Sequence, residues 1–305
     1  MLQDGVKNLA IFFLFIFVTL FIPLLGLFSI FLLPIPFIVF TKNYGYKSGI
    51  VLGIIAFLLM FIITPLSLPI IVSFVAGGIV VGELYKRNFK AFPVLLGGAL
   101  TYIAALILNY IGSIVLLDIN PITSIQNVLK ESVEISREMF TAIGQEGELA
   151  LETAHIFINH LFYIAPTIII VIGVCYAFIT QVISYFVLRW LKESVSFFPP
   201  LREWSFPKAF IWYYLFTYLF ILFGFEEGSP LHIVLANFSP ILECVMIIQG
   251  FAFIFYYFFY KKKSTAIPIV LLFVSFVFPI LLQIVIILGI IDLGFDLRKR
   301  LNGQK

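Results

Sequence analysis

Apolar residues run through this chain in long stretches, at about 9–22, 27–40, 48–63, 66–84, 91–116, 156–188, 209–225, 231–260 and 266–291, and the charged residues fall mostly in the separators. The stretches are apolar on every helical face, and most are long enough to cross a hydrocarbon core of about 30 Å. A β-barrel would instead show weak alternating decamers with polar lumen positions. Composition points the same way: 62% of residues are hydrophobic, 11% are charged and mean hydropathy is +1.13. A soluble domain has roughly half apolar residues and about a quarter charged. The pattern predicts an all-α polytopic membrane protein of about 8–10 transmembrane or re-entrant helices.

The separators carry the orientation signal. All but Lys130 and Arg137 of the 19 Lys and Arg residues fall on one side when Lys7, the loops 41–48, 85–91 and 189–208, Lys261–Lys263 and the C-terminal tail to Lys305 are placed together. The positive-inside rule makes that side cytoplasmic, with both termini on it, and predicts a multi-pass protein of the bacterial plasma membrane. The other side is acidic, with Asp118, Glu131, Glu134, Glu138, Glu146, Glu148, Glu152, Glu226 and Glu227. The first apolar run has no A-x-A-like cleavage site after it, so it reads as a retained helix rather than a signal peptide. The formal charge of +3 comes from loop residues and gives no support to a nucleic-acid partner.

Some segments do not fit a simple count. Residues 9–40 must hold two crossings broken at Pro23 and Gly26, or one crossing and a re-entrant piece. Residues 266–291 lie between two basic segments, which favours a shallow hairpin bent near Pro279 over a single span. The segment 155–191 would make one helix of about 55 Å, so it must tilt, kink at Pro166 or Gly173, or project. Within 117–154, Ile125, Val128, Leu129, Val133, Ser136, Phe140 and Ile143 follow i, i+3, i+4 spacing, and Asn120 with Pro121 forms a cap and first turn. This amphipathic helix lies on the outer membrane surface or over the bundle, covering a seam or acting as a lid.

Candidate chemistry is sparse. HExxH, C-x-x-C, G-x-S-x-G and Walker-type patterns do not occur. His155 and His160 are five apart and do not stack as an i, i+4 metal pair. Cys175 and Cys244 fall within predicted spans and read as small buried hydrophobes. No enzyme, cofactor or metal site is expected. The polar residues within spans are more informative, because burying them is costly: Asn109, Gln181, Asn237, Glu243, Gln249 and Gln283. Glu243 sits near mid-span and reads either as a substrate or proton site or as a hydrogen-bonded packing residue. Asn237, Glu243 and Gln249 step by six residues, about 240° each, so one helix cannot gather them.

The stretch AGGIVVGE places Gly78 and Gly82 in G-x-x-x-G spacing inside an apolar run, where small residues allow close helix packing rather than phosphate binding. Gly45, Gly49 and Gly53 repeat that spacing on the preceding span and are expected to face them. In FFPPLREWSFPKAFIWYYL, Pro199 and Pro200 stop one helix and Pro207 starts the next. Between them Arg202, Glu203, Trp204 and Lys208 form an interfacial elbow, which either anchors the helices or docks a cytoplasmic partner, and Trp204, Trp212, Tyr213 and Tyr214 suit an aromatic belt.

With LREWSFPKAFIWYYL, FIPLLG, LLPIPFIVFTKNYG and LGIIDLGFDLRKR, the whole chain resembles the YybS-like bacterial membrane proteins, a resemblance that carries no assigned chemistry. Residues 8–191 are also similar to the six-helix substrate-binding (S) subunits of energy-coupling-factor transporters, through Pro34 and Pro36, short glycine-bearing helices and the G-x-x-x-G helix that ends in basic residues. That likeness implies a ligand site near the outer side, beneath 117–154. The first helix, LAIFFLFIFVTLF, departs from it: those subunits dock their partner through small residues, and here only Ala10 is small.

These readings together predict an S-component-like membrane bundle over 1–191, a cytoplasmic elbow at 192–208, and C-terminal helices with a basic tail over 209–305. The function expected first is binding or transport of a small molecule or lipid within the bundle. The alternative is a non-transporting scaffold that docks a membrane-protein partner through the elbow and tail. The lipid bilayer is the partner common to both.

Overall fold

A computed structural model describes residues 1–63, 68–142 and 148–303. Leu66, Ile143, Glu146 and Lys305, which entered the sequence reading, lie outside the described residues. Helices dominate, and no strand occurs among the described residues. Among the described residues, seven helical stretches are long and apolar enough to cross a membrane, Pro23–Tyr44 counted as one. The chain is an all-α polytopic membrane protein. It forms two units, Met1–Phe162 with Ile168–Phe198, and Tyr163–Thr167 with Pro199–Lys305.

The first unit opens with a hairpin. Helix α1 (Leu2–Phe21) stops at Ile22, and Pro23 occupies the first turn of α2 (Pro23–Ser29), where its missing N–H costs nothing. A 3-10 turn leads into α3 (Ile35–Tyr44). Thr19 Oγ1 and Ser29 Oγ share a hydrogen bond of 2.6 Å, Phe12 and Phe37 meet edge to face at 4.9 Å, and Tyr44 Oη donates to Asp4 Oδ2 at 2.5 Å. These pairs run in opposite chain directions, so residues 2–44 pass out and back.

Helix α3 is the hub of this unit, with Ile35, Phe37, Ile38 and Phe40 all buried. It ends at Gly45, whose φ of +86° is the left-handed conformation that favours glycine. Gly45 is therefore a joint between α3 and α4 (Tyr46–Ile63), not a packing position within a helix. Gly78 and Gly82, on α5 (Leu68–Lys86), do mark a close helix contact, but not with the glycines of α4. A Cβ on Gly78 would lie 2.7 Å from the Pro34 carbonyl oxygen, and one on Gly82 2.7 Å from that of Ile38. Gly49 and Gly53 instead make room for side chains, those of Thr41, Val75 and Ile79. The expected glycine-to-glycine pairing is replaced by glycine against the backbone of α3.

Helix α6 (Ala91–Leu117) returns beside α5, with Tyr102 seated on Gly77. Asp118 caps its end in the left-handed conformation, at φ 54°. Asn120 Oδ1 then accepts from Ile122 N at 3.0 Å, and Pro121 starts α7 (Pro121–Ala142). The predicted stripe on α7 divides. Leu129, Val133, Ser136 and Phe140 are half-buried, whereas Ile125 and Val128 are exposed. Helix α8 (Glu148–His160) packs beside it, and Gln126 Nε2 donates to the Ile158 carbonyl at 2.8 Å. The segment 155–191 is not one helix: α8 ends at His160 and α9 (Ala165–Trp190) begins with Pro166 in its first turn. Gly173 of α9 lies close to the Ile103 backbone and is a contact rather than a kink.

In the second unit, α10 (Ala209–Phe223) packs on α11 (Pro230–Tyr260), which starts with Ser229 Oγ accepting from His232 N. At 31 residues, α11 is about 46 Å long and exceeds the hydrocarbon thickness. Residues 266–291 form two helices, α12 (Ala266–Val277) and α13 (Pro279–Phe295), separated at Phe278. Helix α13 meets α11 at Gly250 and Gly289, where added Cβ atoms would run into the carbonyls of Val285 and Met246. The short α14 (Leu297–Gly303) then comes back to the end of α11, where Tyr260 Oη donates to the Leu301 carbonyl at 2.8 Å. The two basic segments Lys261–Lys263 and Arg298–Arg300 thus share one end of α11. Cys175 and Cys244 lie on exposed faces of their helices, not in the core, and Gln283 is exposed as well.

A backbone contact this close leaves no space for a methyl group. Gly289→Ala is expected to destabilise by about 1–3 kcal/mol. Gly112→Ala, which meets nothing within 4 Å, is expected to stay within about 0.5 kcal/mol of the parent. Thermal unfolding and yield in detergent, measured side by side, check the difference.

Candidate functional site

Of the polar residues of the spans, Asn109, Gln181, Asn237, Glu243 and Gln249 are each engaged in a tie between segments, and the exposed Gln283 is not among them. Asn109 Nδ2 on α6 donates to Ser73 Oγ at 2.7 Å and to the Ala105 carbonyl at 2.9 Å. Gln181, buried on α9, donates through Nε2 to the Ala91 carbonyl at 2.8 Å. Asn237 binds the segment Tyr163–Thr167: its Nδ2 donates to the Tyr163 carbonyl at 2.6 Å, and its Oδ1 accepts from Thr167 N at 2.9 Å. Glu243 accepts from Tyr218 Oη of α10. Gln249 turns to the elbow and to α13. The three polar residues of α11 therefore serve three different neighbours and do not converge.

The densest polar constellation lies where the elbow meets α13 and α14. Asp292, 2% exposed at its side chain, accepts at Oδ2 from Gln249 Nε2 at 2.5 Å and from Arg298 Nε at 3.0 Å. Gln249 Oε1 accepts from Phe206 N at 3.0 Å. Arg298 Nη1 donates to the carbonyls of Arg202 at 3.0 Å and Trp204 at 2.8 Å. Trp204 Nε1 donates to the Pro199 carbonyl at 2.8 Å, and the Arg202 guanidinium sits 4.0 Å from the centre of the Phe259 ring. The elbow itself is a 3-10 turn, Leu201–Glu203, between Pro200 and Trp204.

Desolvating two charges costs several kcal/mol per ion in real proteins, so a buried pair survives only where further hydrogen bonds serve it. Asp292 and Arg298 meet that condition through Gln249 and two backbone carbonyls. Arginine suits the task because its planar fork serves several acceptors at once. Asp292, Asp296 and Arg298 were not singled out in the sequence reading. The available signal was an aspartate inside the apolar run LGIIDLGF, six residues before an arginine.

Above this buried pair opens a cleft of about 350 Å³, lined by Ser205–Lys208 of the elbow and by Asp292, Leu293, Asp296, Arg298 and Lys299. Lys208 Nζ lies 2.5 Å from Asp296 Oδ2, and Lys299 Nζ 3.8 Å from it. The hydrogen bond from Lys208 holds the Asp296 carboxyl below the usual carboxylate range. A depressed pKa stabilises the fold above the ordinary carboxylate pKa, and that contribution is lost as pH falls through the folded value. Among the described residues, no group of three or more His, Cys, Asp or Glu is placed to hold a metal ion.

The apolar spans, the all-helical architecture and the buried polar ties define a multi-pass integral membrane protein. The chain belongs to the DUF2232 family of predicted membrane proteins, whose model matches residues 10–293. It is 28% identical over 305 residues to the "Uncharacterized protein YybS" of Bacillus subtilis (strain 168), an alignment covering 99% of this chain and 98% of that protein. No solved structure matches.

Removing one partner of a buried pair strands the other. Arg298→Ala is expected to cost about 3–5 kcal/mol, and the double variant Asp292→Asn/Arg298→Gln clearly less. Thermal unfolding of the purified full chain checks the order. Equal losses for both variants would show that Arg298 acts through packing alone.

Proposed function

We propose that the protein is a non-catalytic scaffold of the bacterial plasma membrane. Its elbow, 192–208, and its basic tail present a docking surface for a protein partner, and its basic ends face the cytoplasm. One observation carries this reading: Arg298 bonds both the elbow carbonyls of Arg202 and Trp204 and Asp292, so the elbow from Pro199 onward and the tail form one fixed surface. Exposed charges, Glu203, Lys208, Lys299 and Arg300, decorate it. The use of Asn109, Gln181, Asn237, Glu243 and Gln249 as ties between segments supports the scaffold over a ligand site within the spans.

A second reading has its own support. Between α4 and α5 runs a groove of about 260 Å³ lined by apolar side chains, among them Ile54, Phe57, Ile71 and Val75, with Gly53 and Ala76. Such a groove suits a lipid-like apolar molecule. The likeness of residues 8–191 to substrate-binding subunits belongs with this reading.

Affinity purification from gently solubilised membranes separates the two. A stoichiometric protein partner is expected with the parent and with Lys130→Glu, a change on α7, and is expected to fall about tenfold with Glu203→Lys/Arg300→Glu. Equal recovery in all three forms, or a bound lipid and no protein, would overturn the scaffold reading.

A further inference from the structure

We propose that the cleft between the elbow and α13–α14 binds the phosphodiester of a phospholipid headgroup. This inference deepens the docking reading and rests on it for the shared surface, and it assigns that surface a ligand chemistry.

Position is the first argument. The apolar helix α10 begins at Ala209 and the apolar helix α13 ends at Phe295, and the residues just outside both ends, Lys208 and Asp296, line the cleft. The cleft therefore lies at the border between apolar and polar segments of this unit. Trp212 and Tyr213, 61% and 53% exposed, stand one turn inside α10, where aromatic side chains favour the headgroup level.

Charge is the second. Lys208, Arg298 and Lys299 line the cleft together with Asp292 and Asp296, which leaves one positive charge in excess. A phosphodiester carries one negative charge and balances it, whereas a phosphate monoester with nearly two would overshoot. Asp292 is already occupied by Gln249 and Arg298. Asp296 Oδ2 holds Lys208 at 2.5 Å and Lys299 at 3.8 Å at the rim, and each ammonium has further N–H donors for a phosphate oxygen.

Donor supply is the third. Arg298 lines the cleft, and its Nη2 is buried with no hydrogen-bond partner among the described residues, a costly state for a guanidinium N–H. Helix α10 starts at the cleft without a side-chain cap, so the positive end of its dipole adds to the field there. Ser205 lines the same space, and Phe206, Pro207 and Leu293 supply an apolar wall for the carbon chain that a diester carries and a free phosphate lacks.

The test uses the purified full chain in nonionic detergent, with dihexanoyl phosphatidylglycerol, inorganic phosphate and an uncharged dihexanoyl glycerolipid as probes. Saturable binding of the phospholipid is expected, weakened by salt. Lys208→Ala/Lys299→Ala is expected to reduce affinity about ten- to thirtyfold with a melting temperature within about 3 °C of the parent, because both side chains are exposed and exposed pairs with Asp296 contribute little. Lys261→Ala/Lys262→Ala, a basic pair outside the cleft, and Glu203→Lys/Arg300→Glu should leave phospholipid affinity unchanged. Equal binding of the uncharged lipid, or an equal loss with Lys261→Ala/Lys262→Ala, would overturn the proposal. Inorganic phosphate binding as tightly and displacing the phospholipid would make this a free-anion site and overturn the lipid assignment. Loss of lipid binding with partner recovery still sensitive to Glu203→Lys/Arg300→Glu would sink this inference and leave the docking reading standing.

Discussion

Leucine on a helix gains nothing by exchanging lipid for another leucine. Helices in a membrane are therefore held by close backbone approach and by polar groups that find partners, and both units of this chain are built on that constraint. In the first unit, Gly78 and Gly82 bring α5 against the carbonyls of α3. In the second, Gly250 and Gly289 bring α13 onto the backbone of α11. The large side chains fill what these contacts leave: Phe12 and Phe37 around α3, and Met246, Ile286 and Leu293 beside α11. The glycines set the distances and the apolar residues conform to them.

Polar groups then fix what close packing leaves free. Asn237 ties α11 to the segment at Tyr163–Thr167 through both ends of its amide. Glu83 serves two neighbours, accepting from Arg87 Nε at 2.8 Å and from the Tyr46 backbone N–H at 2.9 Å. An acidic side chain at the start of α4 complements the helix dipole there. The Asp292–Arg298 pair does the same work on a larger scale. Its guanidinium satisfies carbonyls of an irregular segment that has no helix ladder of its own, and such backbone is tolerated near a bilayer only where protein covers it.

Much of this architecture was legible in the sequence, because apolar run length and the absence of alternation report a spanning helix directly. The breaks at Pro23, near Pro166 and at Pro279 were also visible, since proline stops a helix by local geometry. Partner choice was not. Gly45, Gly49 and Gly53 share a spacing with Gly78 and Gly82, yet spacing says only that a helix has a bare face, not which helix fills it. The stripe on α7 divides for the same reason: an apolar arc does not say how much of it a neighbour such as α8 will take. Cys175, Cys244 and Gln283 face outward although they sit in apolar runs, because a membrane helix can be apolar on all sides and composition then no longer separates core from surface.

The site was the least legible part, and the cause is physical. Gln249 was visible as a polar residue in an apolar run, but Arg298, which shares Asp292 with it, sat in a run of basic residues where charge is expected at a membrane boundary. Its role depends on a contact with Arg202 and Trp204, nearly a hundred positions earlier. A basic residue in a tail costs nothing in water, so Arg298 itself carries no sign that it is largely enclosed. The sign lies in its partner: Asp292 occupies an apolar run where an unpaired carboxylate would be expensive. An isolated acid in a span therefore implies a partner, either a hydroxyl donor such as Tyr218 for Glu243 or a cation, and the nearest basic residue with enough reach is the first cation to try. Here that reasoning leads from Asp292 to Arg298, and from Arg298 to the elbow it holds.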